Sequence, residues 1–225
     1  MSKLDLHPRL ALLLEQRCFF MFLSLLALLI TMPFLADTAS GRVAIGLLNL
    51  AILLTAVVAV GRSRFAFMFA AILGLPTVGF QLLALDSGET RHFALYWGFG
   101  AAFYAFTIGH LLHYVLRREH MTADKLYGAV AAYIMIAIWW AFMSGVLQHF
   151  YPGAYAFHGE IRRLDFSELI FFSFTVLTTT GFGDITPVLI QSRFLTILEA
   201  VTGIMYVAIL IARLTGVYPV IRAKP

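Results

Sequence analysis

Charge is what this chain has least of. Of its 225 residues, 12% are Asp, Glu, Lys or Arg, about half the share of a typical soluble domain. Cysteine occurs once, as Cys18, so no intrachain disulfide can form and a stapled secreted fold is excluded. The polar, low-hydrophobicity composition of a disordered chain is missing as well. Apolar residues fill the space instead, at 61% of the chain, and the mean hydropathy is +0.87. Such a chain exposes much of its surface to lipid, and its net charge of +4 needs a topological explanation before a nucleic-acid one.

A helix that crosses the hydrocarbon needs roughly 20 predominantly apolar residues. Residues 18–36, 43–60, 65–85, 93–116, 126–147 and 190–213 meet that requirement, the third interrupted by Gly74 and Pro76 and the sixth carrying Glu199 inside it. In hydrocarbon every backbone polar group must be satisfied within the protein, so helices are expected for all six. No small-residue cleavage site follows the first run, and a signal peptide is not expected. Six crossings place both termini on one side. That side collects Lys3, Arg9, Arg17, Arg62, Arg64, Arg117, Arg118, Lys125, Arg213, Arg222 and Lys224, against Arg42, Arg91, Arg162, Arg163 and Arg193 on the other. Positive charge accumulates in cytoplasmic loops, so both termini are expected in the cytoplasm.

The connection between the fifth and sixth runs, residues 148–189, is too long for a simple linker. It holds an apolar stretch, 166–178, that is too short to span. Asp165 or Ser167 can cap it, with Glu168 three residues after Asp165 as in a capping box. The string Thr178-Thr179-Thr180-Gly181-Phe182-Gly183-Asp184 follows. Irregular backbone at membrane depth is tolerated only where protein buries it or where it lines a water-filled path. Glycine permits the backbone angles that turn successive carbonyls to one side, and threonine adds a hydroxyl oxygen.

That string resembles the T-T-V-G-Y-G-D signature of the tetrameric pore-loop potassium channels. The flanks agree with it: Phe171 and Phe172 stand where the family has an aromatic pair, Pro187 follows at the familiar distance, and Gly203 falls at the family's inner-helix hinge. The resemblance covers residues 126 to 213. It implies an all-α membrane protein of six crossings with a re-entrant pore helix (166–178), a filter (179–183) and an inner helix (190–213). It further implies K+ ligation by the carbonyls of Thr179, Thr180, Gly181 and Phe182, with Gly183 completing the filter. Four chains are needed to close such a ring, so a homotetramer is expected. Asp184 would lie at the outer mouth. The pore helix would direct the negative end of its dipole at the cavity.

Two departures from the family pattern matter. Phe182 replaces tyrosine, so packing by Phe171 and Phe172 must brace the filter without a hydroxyl. Thr180 replaces valine and places a hydroxyl behind the filter. Glu199 is a costly intramembrane carboxyl that by default marks function and a nearby partner; a polar cluster of Glu199, Thr175 and Thr180 is expected, against a plain structural hydrogen bond. Gly203 is read as a hinge or as a point of close helix packing.

The remaining residues divide the chain into a cytoplasmic N-terminus (1–17), a four-helix sensor-like region (18–120), the pore region (121–213) and a short cytoplasmic tail (214–225). Steep voltage response needs three or four gating charges per subunit. The fourth run carries only His110 and His113 before Arg117 and Arg118, so little voltage dependence is expected. Neither flanking stretch is long enough to fold as a regulatory domain, and gating is expected within the membrane. The expectation is a potassium channel of a bacterial or archaeal plasma membrane, with lipid and K+ as its partners besides other copies of itself. No cofactor, catalytic residue or nucleic-acid partner is expected. The alternatives are a non-selective cation channel of the same architecture and a membrane redox or metal protein using His110 and His113.

Overall fold

The computed structural model describes residues 17–35, 52, 55–56, 64–87, 90–117 and 122–217. Long helices dominate: α1 (Arg17–Leu35), α2 (Arg64–Ser87), α3 (Thr90–Val115), α4 (Ala123–Phe150), a short α5 (Phe166–Leu177) and α6 (Ile190–Val217). Four of the described helices are long and apolar enough to cross a membrane, over Arg17–Phe34, Phe67–Ala84, Ala123–Phe150 and Ile190–Arg213. The fourth expected crossing is a continuous 26-residue helix, α3, which is not among those four. The second expected crossing, 43–60, lies outside the described residues except for helical Ile52, Thr55 and Ala56.

Pro76 and Gly74 do not break α2, contrary to the interruption read from the sequence. Neighbouring Thr77 directs its hydroxyl to the Leu73 carbonyl one turn earlier at 2.8 Å, so its buried hydroxyl is satisfied within the helix.

α3 and α4 form an antiparallel hairpin held by reciprocal aromatic insertion. A Cβ on Gly100 of α3 would stand 2.1 Å from the Phe142 ring of α4, and one on Gly145 of α4 would stand 2.3 Å from the Trp97 ring of α3. Each helix thus supplies a glycine notch for the other's ring, since close approach through small residues is the main packing device where apolar burial gives no advantage over lipid. Tyr96, Trp97, Phe142 and Phe166 continue as one aromatic cluster, with ring centroids 5.0–6.0 Å apart. The hairpin's other end is tied by Asp124, which accepts from the Cys18 amide and the Tyr114 hydroxyl, both at 2.9 Å. The peripheral helices α1 and α3 therefore pack on α4 of their own chain.

The 148–189 connection contains a small antiparallel sheet that no periodicity in the sequence announces. Strands β1 (Tyr155–Phe157), β2 (Glu160–Ile161) and β3 (Ile185–Pro187) lie in the order β2-β1-β3, with Ala156 opposite both Ile161 and Thr186. The turn joining β1 to β2 uses His158 and Gly159 at positive φ. β3 directly follows the threonine-glycine string, so the sheet fixes that string's C-terminal end.

Candidate pore-loop site

The short helix starts where the capping box was expected. Asp165 is the N-cap: its side chain accepts from the Glu168 amide at 2.8 Å, and Glu168 reaches back to the Asp165 amide at 2.9 Å. Arg162 adds a two-pronged ion pair to Glu168. That guanidinium is the largest cause that lowers the Glu168 carboxyl below its usual range. The helix ends at Leu177, one residue earlier than expected, with Thr178 as C-cap.

The last four carbonyls of an α-helix have no partner within it, and here each finds one. The Phe174 oxygen accepts from the Thr178 amide and hydroxyl at 3.0 and 2.7 Å. The Thr175 oxygen accepts from the amides of Thr180 and Gly181 at 2.8 and 3.1 Å, and that of Val176 from the Thr179 amide at 2.9 Å. The Leu177 oxygen accepts from the Tyr133 hydroxyl at 3.3 Å. The chain therefore folds back over the helix end, and Thr175 holds the following loop through its carbonyl.

The loop itself has a regular irregularity. Thr179, Gly181 and Gly183 have φ of +59°, +55° and +82°, while Thr180 and Phe182 between them do not enter the positive region. A β-branched residue such as Thr179 is a true outlier there, at a cost of order 1–3 kcal/mol that the surroundings must impose. Among the described residues, none of the carbonyls of Thr179, Thr180, Gly181, Phe182 or Gly183 accepts a hydrogen bond, and all five residues are exposed in the single chain.

The two expected bracing phenylalanines divide the work. Phe171 stacks on Phe182 with centroids 5.9 Å apart and planes within 6°. Phe172 is buried on the far side, edge-on to Tyr155 at 5.4 Å. Asp184 is half-buried; its carboxylate accepts from the Ile185 amide at 2.9 Å and its carbonyl from the His158 amide at 2.7 Å, so it joins the loop to β3.

The expected cluster of Glu199, Thr175 and Thr180 is not formed. Thr175 directs its hydroxyl to the Phe172 carbonyl at 2.8 Å, and the Thr180 hydroxyl pairs with that of Thr178 at 2.9 Å. Glu199, 1% exposed, instead meets Ser173, which also bonds the Ala137 carbonyl at 2.6 Å. Ser173 was missed because a mid-helix serine ordinarily satisfies itself on its own preceding turn. Its position on the short helix, six residues before Thr179, was the available signal.

Gly203 lies in an unbroken α6, where an added Cβ would come 2.0 Å from the Leu177 carbonyl oxygen. The close-packing alternative describes this position. His110 is exposed, with its ring bonded to the Phe106 carbonyl at 3.1 Å, and His113 neighbours Arg117 at 3.5 Å. Among the described residues no group of three or more His, Cys, Asp or Glu side chains gathers.

Residues 125–218 match the family model described as an ion channel. No curated protein matches the chain, and no solved structure does. The matched segment covers nearly all of α4, the short helix α5, the loop and α6, and together with the apolar helices it supports an ion-channel function in a multi-pass membrane protein.

Proposed function

We propose that the protein is a potassium-selective channel in which four copies align the 179–183 segment around a common axis. The observation that carries this reading is the run of five adjacent, exposed carbonyls without protein partners, on a backbone whose φ changes sign at every residue. Buried or membrane-depth carbonyls must be satisfied by something. Alternating left- and right-handed residues lead successive carbonyls toward the same side of the strand, and a ring of such oxygens substitutes for the hydration shell of a cation. The Thr179 hydroxyl adds a further oxygen, Asp184 places a carboxylate at the outer end, and Phe171 braces Phe182 from the pore helix. Because the pore-helix carbonyls already have donors, its help to a cation in the cavity comes from the dipole as a whole.

Tetramer formation is supported by α6, whose apolar side chains Ile197, Leu198, Val201, Ile204 and Met205 are all exposed in one chain. The scarcity of arginine in α3 supports weak voltage dependence. The reading is tested with the full chain in liposomes. Reversal potentials in opposed potassium and sodium gradients should follow the potassium gradient, and the particle should be tetrameric by mass in lipid nanodiscs. Equal permeability would favour the non-selective channel, and absence of flux would end both readings.

A further inference from the structure

Ser173 occupies the crossing of three helices. Its hydroxyl oxygen lies 2.6 Å from the carbonyl oxygen of Ala137 on α4 and in hydrogen-bond contact with Oε1 of Glu199 on α6. All of this is buried, with Ser173 fully enclosed and Glu199 1% exposed. A serine hydroxyl has one proton and can accept through its lone pairs, whereas a carbonyl oxygen only accepts. The contact with Ala137 therefore requires the Ser173 proton to point at Ala137. The Ser173 oxygen is then the acceptor toward Glu199, and the donor on that contact can only be a carboxylic acid.

We infer that Glu199 is a neutral, proton-bearing positioning residue for the pore loop, at the head of a directional relay from Glu199 through Ser173 to the Ala137 carbonyl. The surroundings agree with the proton count. Burying an ionised carboxylate without a partner is costly, and among the described residues no lysine or arginine pairs with Glu199. Tyr155, the titratable side chain nearby, is itself buried and carries no positive charge that could pair with a carboxylate. The relay bears on the loop through two residues of helix: Ser173 fixes the turn that presents the Thr175 carbonyl, and that carbonyl holds the amides of Thr180 and Gly181. Helix α6, helix α4 and the loop are thus registered by a chain of uncharged hydrogen bonds.

The inference rests on the channel reading only for its transport readout. Infrared spectra of the full chain in lipid at neutral pH, compared between wild type and Glu199→Gln, test the proton without reference to transport. A protonated-carboxyl stretching band that is present in wild type and lost in the variant is expected; a carboxylate difference band in its place would overturn the assignment. Ser173→Ala should shift that band while keeping it, and an unmoved band would overturn the relay. In flux assays Glu199→Gln, which preserves shape and donor capacity, should keep the potassium-to-sodium ratio within about twofold of wild type. Glu199→Leu, which fills the space without a donor, should lower that ratio at least tenfold. Equal behaviour of the two variants would remove the positioning role. If wild type carries no flux while the acid band is present, the channel reading fails and the proton assignment stands.

Discussion

Helices α4 and α6 are near twins in length and hydropathy and opposites in placement. Each has 28 residues, and their spanning segments have mean hydropathies of 2.0 and 2.2. Yet 67% of the α4 segment is buried within the chain against 11% of the α6 segment. Hydropathy reports that a helix leaves water; it does not report what it meets. α4 is enclosed by α1, α3 and α5, and its small residues, Gly128, Ala131, Ala132, Ala137, Ala141 and Gly145, let them come close. α6 touches its own chain along a narrow line, through Glu199, Gly203 and Tyr206, and offers its other faces to lipid and to the copies we propose.

The difference can be broken by equal truncations on the two helices. Phe142→Ala on α4 empties the Gly100 notch and opens the Tyr96–Trp97–Phe166 cluster, so a loss of about 3–5 kcal/mol is expected. Thermal unfolding of the full chain in detergent should show a large fall in Tm. A fall no greater than that of an Ile204→Ala control would mean that α4 is not the buried helix of the pair.

Gly203, like Ser192 and Glu199, is a buried point of contact on a mostly exposed α6. The Cβ of Gly203→Ala would meet the Leu177 carbonyl, which cannot move without pulling the short helix away from the loop it anchors. Overpacking of this kind costs about 1–3 kcal/mol. Tm should fall by less than in Phe142→Ala, but potassium flux should fall further than stability does. A variant with normal flux and normal Tm would show that the two helices part easily at this point.

The exposed side of α6 should respond in another quantity. Ile197→Ala with Ile204→Ala should leave secondary structure by circular dichroism unchanged and lower the tetramer fraction by mass in nanodiscs several-fold. The same tetramer fraction in variant and wild type would assign that surface to lipid.

How much of this was legible beforehand follows from the type of signal. The capped short helix and the Thr-Gly string were readable because capping and positive φ are set by residues close in sequence. Asp165, Glu168, Gly181 and Gly183 announce themselves. The Ser173–Glu199 contact was not readable, because a buried carboxyl says that it needs a partner without saying which. The hydroxyls of Thr175 and Thr180 lie close to the threonine-glycine string in sequence, but both are occupied locally, and the partner is set by which face of the short helix meets α6. The small sheet was missed because three strands of two or three residues carry no period. The interlocking of α3 with α4 was missed because a glycine notch is recognisable only once the opposing ring is known.

The smallest expected effect lies at the start of the short helix, where Arg162 and Glu168 form a partly exposed ion pair. The Glu168 carboxyl is lowered by the Arg162 guanidinium and by the Asp165 amide. A lowered folded value means that the pair stabilises the fold above the ordinary carboxylate range and that this contribution is lost as pH falls through the folded value. Both side chains are partly exposed, so solvent screening keeps the pair's contribution small. Tm measured from pH 7 down to pH 3 should therefore decline more in wild type than in Glu168→Gln, which keeps a side-chain acceptor for the Asp165 amide but has no carboxylate to titrate. The difference should shrink in high salt, because exposed pairs are screened. Parallel declines in the two proteins would show that the capping geometry, rather than the charge, holds the start of the helix.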